Sequence, residues 1–212
     1  MMMSSGLRKV ALTTHVLTSV GWLGAVAAFL ALSIAGVSSQ DSQIVRAAYL
    51  AMHLTTWYVI VPLCFASFLT GLVESLGTPW GLFRHYWVVT KLLLTVLATI
   101  VLLVHTQPIG RVADVAAQSV LAAGDLRQVR LQLVGDASAA LFVLLITTTL
   151  SIYKPWGLTA YGVRVQAAAV GGGRSIIARR PRAAGQYVLF TIIAFVALIV
   201  LLHLAGFGMH GH

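Results

Sequence analysis

The stretch HYWVVTKLLLTVLATIVLLVH, from His85 to His105, consists almost entirely of Leu, Val, Ile, Ala and Thr between its aromatic start and its final histidine. At about 1.5 Å per residue, a helix of about 20 apolar residues matches the roughly 30 Å hydrocarbon core of a bilayer. The stretch therefore predicts a membrane-spanning α-helix, and the rest of the chain is interpreted around it.

Two ionisable side chains lie on one face of this predicted helix. Successive helical residues turn by about 100°, which places Lys91, Thr95, Ala98, Leu102 and His105 on the same side. Ionisable groups are costly in hydrocarbon, so such a face is expected to point into a bundle and to mark a functional site. The alternative is that Lys91 extends to one membrane interface and His105 ends the helix at the other.

The composition indicates a membrane protein. Of the 212 residues, 59% are hydrophobic and 9% are charged, whereas soluble domains carry about 25% charged residues. The formal net charge is +9, and the basic residues flank apolar runs, as they do on the cytoplasmic side of membranes. No basic-aromatic motif for RNA is present, so we expect a lipid bilayer and no nucleic acid as partner. Cys64 is the single cysteine, which excludes a disulfide framework and a cysteine metal cluster.

We expect an all-α integral membrane bundle, a single domain of about five transmembrane helices. Their approximate bounds are 10–37, 46–73, 86–106, 133–154 and 187–207. Between the third and fourth helices, residues 109–132 mix charged and apolar residues, which predicts an amphipathic segment on the membrane surface. Residues 157–186 are rich in arginine and read as a basic cytoplasmic loop. Pro62 is expected to kink the second helix.

The basic residues also predict an orientation. Arg8, Lys9, Arg84 and the 157–186 loop lie on one side of a five-helix bundle. The positive-inside rule therefore predicts a cytoplasmic N-terminus and an outer C-terminus in a multi-pass protein of the bacterial plasma (inner) membrane.

That orientation brings His53, His105 and His203 to a similar depth in the outer half of the membrane. Buried imidazoles are costly unless they are paired or coordinated. Histidines from facing helices can hold a b-type haem, and a bound metal ion such as copper is the alternative on the same three residues. Asp136 is either a first-turn carboxylate favoured by the helix dipole or a hydrogen-bond partner of a neighbouring histidine.

Parts of the first 105 residues resemble known membrane protein families. HVLTSVGWLGA, which begins at His15, resembles the first-helix pattern of the copper resistance protein D superfamily and of HemJ-type protoporphyrinogen oxidases. The spacing of Trp87, Lys91 and a distal histidine resembles the third HemJ helix. The HemJ pattern also has a second histidine at the end of helix one, and here Val37 to Gln40 contains none. SFLTGLVESLGTPWGLFRHYWVVTKLL resembles a signature of uncharacterised bacterial membrane proteins, the DUF2269-like group. The resemblance implies that His15 and Lys91 take part in haem binding or catalysis.

The sequence thus predicts a haem b-binding membrane protein for electron transfer or a redox reaction. His53, His105 and His203 are the expected ligands, with His15 and Lys91 as a second site. One alternative is a protein that handles copper or a small solute. The other is a non-catalytic partner in a larger membrane complex, held together by polar contacts between helices. Other membrane redox proteins or a second copy of the chain are the expected partners, and enzymatic activity is left open.

Overall fold

The structure, a computed structural model, describes residues 3–78, 81–118, 126–154 and 157–169. The described residues form six α-helices and one π-helical turn. In chain order these are α1 (Ser5–Ser38), α2 (Ser42–Thr55), the π turn (Thr56–Ile60), α3 (Val61–Gly77), α4 (Tyr86–Gln118), α5 (Arg127–Tyr153) and α6 (Ala160–Ala169). The predicted all-helical architecture is confirmed for this part of the chain. The expected fifth spanning helix, 187–207, lies outside the described residues.

Four helical stretches in the described ranges are long and apolar enough to cross a membrane. They are Ser5–Ser38, Ser42–Gly77, Tyr86–Gln118 and Arg127–Tyr153, where Ser42–Gly77 comprises α2, the π turn and α3. Their length and composition support the prediction of a multi-pass membrane protein.

The chain divides into two compact units. The larger unit contains Met3–Glu74 and Ala98–Ile146. It therefore includes all of α1, α2 and the π turn, most of α3, the second part of α4 and most of α5. The smaller unit contains Ser75–Leu97 and, among the described residues, those from Thr147 onward.

Buried apolar residues of α1, α2, the π turn, α3, α4 and α5 form the core of the larger unit. On α1, His15, Trp22 and Val26 are buried on a common side, as their spacing predicts. The buried hydrophobic cluster consists of Trp22, Val26, Phe29, Val45, Tyr49, Met52, Ile60, Cys64, Ile109, Val112, Ala116, Leu133, Ala137 and Leu144.

The π turn is the local response of the chain to Pro62. Proline has no N–H, and in a regular helix its ring clashes with the carbonyl four residues earlier. Here the N–H of Val61 bonds the carbonyl of Thr56, one residue further back than in an α-helix. The extra residue shifts the register, so Thr56 and Ile60 are buried while Trp57 is 47% exposed. Uninterrupted helical spacing would place Trp57 on the same side as Ile60 and Cys64, and the shifted register moves it off that side.

The structure describes residues 109–118 and 126–132 of the stretch that the sequence predicts as an amphipathic segment. Helical structure covers 109–118 as the end of α4 and 127–132 as the start of α5. Ile109, Val112 and Ala116 are buried, because they continue the apolar stripe of α4 beyond Pro108. The described residues 109–118 and 127–132 therefore belong to the ends of α4 and α5.

In the smaller unit, a threonine joins two chain connections. Thr159 precedes α6, and its hydroxyl accepts a hydrogen bond from the N–H of Gly162 at 3.0 Å, which caps the helix. The same hydroxyl donates to the carbonyl of Phe83 at 2.6 Å, and the Thr159 N–H donates to the carbonyl of Arg84 at 2.9 Å. The connection before α4 therefore lies against the start of α6. Part of the predicted basic loop, Ala160–Ala169, is helical.

Candidate functional site

His105 and Asp136 form the central polar contact between α4 and α5. His105 Nε2 lies 2.9 Å from Asp136 Oδ2, and the His105 Nδ1 lies 2.7 Å from the carbonyl oxygen of Val101 on its own helix. The His105 residue is only 4% exposed. A third polar group, the side-chain amide of Gln132, lies 3.5 Å from the same Nε2 atom. We call His105 and Asp136 the His–Asp pair.

The contacts of His105 define where its protons lie. A carbonyl oxygen is only an acceptor, so Nδ1 must carry a hydrogen and donate it to Val101. At 2.9 Å, Nε2 and the carboxylate oxygen are close enough to share one further proton. That proton makes either an imidazolium–carboxylate pair or an imidazole–carboxylic acid pair. Both arrangements have no net charge, which is what a buried site of low dielectric constant favours.

The pair lies well inside the helices. His105 is about 13 residues, or roughly 20 Å, before the end of α4, and Asp136 is about nine residues, or roughly 14 Å, after the start of α5. On insertion scales an aspartate at the centre of a membrane-spanning helix costs about 2.5 to 3.5 kcal/mol, so a charged group in such a helix requires a partner.

A buried arginine forms a second polar centre, nearer the start of α5. Arg130 is 4% exposed. Its Nε donates to the hydroxyl of Tyr49 at 2.9 Å, and its Nη2 donates to the carbonyl of Gly36. Gly36 belongs to the last turn of α1, where backbone carbonyls lack helical partners and a cation is favoured by the helix dipole. We call Arg130, Tyr49 and Gly36 the arginine clamp.

His15 is the centre of another polar cluster, between α1 and α3. Its Nδ1 lies 3.1 Å from the Ser67 carbonyl and 3.1 Å from the Thr70 hydroxyl. Ser19, one turn along α1, shares a 2.7 Å hydrogen bond with the Ser67 hydroxyl. The imidazole also lies against Gly71, where a Cβ atom would stand 3.0 Å from the ring. These contacts give His15 the features of a residue that fixes two helices together.

His53 and Lys91 are the other predicted ligands that the structure describes. His53 is half-buried in the last turn of α2, Lys91 is half-buried on the part of α4 that belongs to the smaller unit, and His203 lies outside the described residues. Within the described ranges, no three His, Cys, Asp or Glu side chains are grouped so that they could hold a metal ion. Both ring nitrogens of His105 face oxygen atoms, so iron or copper at Nε2 would have to displace Asp136. The haem and copper assignments stay predictions.

Sequence reasoning missed two residues of this region, Arg130 and Gln132. Arg130 lies in the stretch 109–132 that the sequence predicts on the membrane surface, but it is buried on the same side of α5 as Leu133 and Ala137. Gln132 precedes Asp136 by one helical turn, so both side chains lie on the same face. Extending the periodicity of α5 toward its N-terminus was the signal that could have identified both residues.

Comparison with family models, with curated proteins and with solved structures found no match to this chain.

Proposed function

We propose that this chain is a multi-pass membrane protein whose His–Asp pair holds and exchanges a proton inside the helical bundle. The observation that carries the proposal is the 2.9 Å contact between His105 Nε2 and Asp136 Oδ2, with Nδ1 of the same ring fixed on a carbonyl. Ionisable residues within membrane spans commonly form proton relays, ion paths or ligand counter-ions.

The chemistry of the pair supports proton exchange more directly than a purely structural role. A hydroxyl or amide pair would join α4 and α5 without any titratable group. An imidazole and a carboxylic acid instead form a pair in which the shared proton can leave from either side. The pair is neutral only when it holds the shared proton in addition to the Nδ1 hydrogen. Loss of the shared proton must therefore be matched by another proton or by a cation that restores neutrality. The proposed function is therefore movement of protons across the membrane.

The test is proton flux in liposomes that contain the purified chain and an enclosed pH-sensitive dye. A potassium gradient with valinomycin imposes a membrane potential that drives protons inward. We expect the unmodified chain to acidify the lumen, and we expect Asp136→Asn and His105→Gln to reduce the rate to that of protein-free vesicles. Asp114→Asn is the matched control, because Asp114 is an exposed aspartate on α4. Equal rates for Asp136→Asn and the unmodified chain would contradict the proposal, as would an unmodified chain that conducts no protons.

A second candidate function is the binding of haem b that the sequence predicts. The observation that favours it is the hydrogen bond from His105 Nδ1 to the Val101 carbonyl, because metal-binding histidines usually donate their other ring N–H in this way. A haem iron held at this site would take the place of Asp136 at Nε2, and a second imidazole, from His53 or His203, would supply its other protein ligand.

A visible absorption spectrum of protein purified from cells supplied with haem tests the second candidate. The haem hypothesis expects a reducible Soret band that is lost in His105→Ala and in His53→Ala. His85→Ala is the control, since His85 lies in the smaller unit and stacks obliquely with Trp87. A stable but colourless protein would exclude haem, and metal analysis of the same sample would test copper.

A further inference from the structure

Gln132 and Asp136 approach the same atom of His105. They are one turn apart on α5, and their side chains lie 3.5 Å and 2.9 Å from His105 Nε2. A ring nitrogen carries either a hydrogen or a lone pair. The contacts of Gln132 and Asp136 must therefore both be compatible with the same protonation state of Nε2.

The Gln132 amide is compatible with each state of Nε2 in only one orientation. With its NH₂ group toward the ring, as in the structure, the amide can donate to Nε2 only if that nitrogen has a lone pair. The shared proton then resides on Asp136, which makes both members of the pair neutral. With its oxygen toward the ring, the amide accepts from an Nε2–H group, and the pair becomes imidazolium and carboxylate. A half-turn of the amide interconverts the two, because its nitrogen and oxygen occupy nearly equivalent positions.

We propose that Gln132 is a positioning residue whose amide orientation determines whether the proton of the His–Asp pair resides on Asp136 or on His105. The inference rests on the proposed function, since it concerns the same proton. It goes further by giving the pair a two-state element on the same helix as Asp136. With the NH₂ group toward the ring, Gln132 holds the proton on the carboxyl group, and rotation of the amide transfers it to the imidazole. No bond other than N–H and O–H changes, and no charge leaves the site.

The inference predicts a spectroscopic change when the amide is removed. Ring-¹⁵N-histidine labelling of the full chain in lipid bilayers distinguishes protonated from lone-pair ring nitrogens, and the His105 signals are identified by their loss in His105→Gln. We expect the unmodified chain to show a lone-pair Nε2 and a protonated Nδ1. In Gln132→Met, which keeps the length of the side chain but not the amide, we expect the Nε2 signal to move to the protonated type.

Gln128→Met is the matched control, because Gln128 lies one turn earlier on α5 and is exposed. We expect this variant to leave the His105 signals unchanged. The same His105 signals in Gln132→Met and in the unmodified chain would overturn the inference. The proposed function fails separately: if Asp136→Asn leaves the His105 signals unchanged, the two residues do not share a proton. A Gln132→Met chain that does not fold is replaced by Gln132→Leu. Leucine also lacks the amide, so we again expect the protonated type.

Discussion

At the scale of single residues, the arginine clamp depends on a glycine. At Gly36 a Cβ atom would stand 2.7 Å from Tyr49 Cζ and 2.9 Å from the Tyr49 hydroxyl oxygen. The missing side chain therefore allows the tyrosine ring to lie against α1, and the guanidinium of Arg130 stacks over that ring at 5.4 Å. The Arg130 guanidinium, the Tyr49 ring and the Gly36 carbonyl thus pack against one another, so a change in one is expected to disturb the other two.

We expect Gly36→Ala to destabilise the protein by about 1 to 3 kcal/mol, the usual cost of inserting atoms into a filled core. Gly24→Ala on the same helix is the control, because a Cβ there meets nothing within 4 Å. Alanine is a better helix former than glycine, so Gly24→Ala is expected to gain about 0.5 to 1 kcal/mol. Unfolding in mixed micelles, followed by circular dichroism, measures both changes. Effects of the same sign would contradict the packing argument.

We expect Arg130→Met to lower the free energy of unfolding because two acceptors lose their donor. The Gly36 carbonyl and the Tyr49 hydroxyl are each expected to cost about 1 to 3 kcal/mol when left unsatisfied in the core. Arg127→Met, an exposed arginine on the same helix, is expected to stay within about 0.5 kcal/mol of the unmodified chain. The same unfolding measurement applies, and similar losses in both variants would show that Arg130 is not a clamp.

At the scale of elements, the π turn shows what sequence periodicity can and cannot specify. Pro62 indicates where a carbonyl of the helix loses its donor. It does not indicate whether the helix kinks or forms a π turn with one extra residue. The two outcomes rotate the part of the helix before Pro62 by about 100° relative to each other. The buried faces of α1 were predictable because no such break interrupts that helix. Between α2 and α3, uninterrupted spacing would place Trp57 on the buried side, where it does not lie.

We expect the π turn to behave as a one-residue insertion. In a Pro62→Ala background, deletion of the exposed Tyr58 is expected to restore a regular α-helix and to keep Tyr49 and Cys64 in the core. Deletion of Leu54, which is also exposed, removes a residue from regular helix and rotates the preceding part of α2 out of register. The yield of folded monomer in gel filtration compares the two deletions. Equal yields would mean that the π turn does not set the register.

The candidate site was partly predictable at the scale of elements. Helix-dipole and depth arguments allowed a hydrogen bond between Asp136 and a histidine, and the structure selects His105. The choice between His53 and His105 depends on which helices are neighbours and how each is rotated. Neither quantity follows from hydrophobic spacing alone, because the spacing defines a face without naming the helix that covers it.

At the scale of the whole molecule, the topology can be tested by chemical labelling. In a Cys64→Ala background, cysteines at the exposed positions Phe83 and Tyr161 are expected to react from the same side with a membrane-impermeant maleimide. The contacts of Thr159 with Phe83 and Arg84 hold these two connections together. A cysteine at Gln40 lies beyond the Ser42–Gly77 span and is expected to react from the opposite side.

Positive charge predicts which side is which. We expect Phe83→Cys and Tyr161→Cys to be labelled in inverted vesicles and Gln40→Cys in right-side-out cells. Labelling of all three from one side would contradict the four spans that the described helices suggest. Labelling with the sides exchanged would contradict only the predicted orientation.

The arginine clamp has a consequence for biogenesis. Arg130 follows Gly36 by 94 positions and Tyr49 by 81 positions along the chain. During synthesis the ribosome therefore delivers α1 and α2 to the membrane long before the guanidinium that bonds them. Until then, lipid headgroups, water or a chaperone must solvate the Gly36 carbonyl and the Tyr49 hydroxyl. We expect a nascent chain arrested after α4 to be sensitive to membrane proteases, and completion of α5 to be the step that confers resistance.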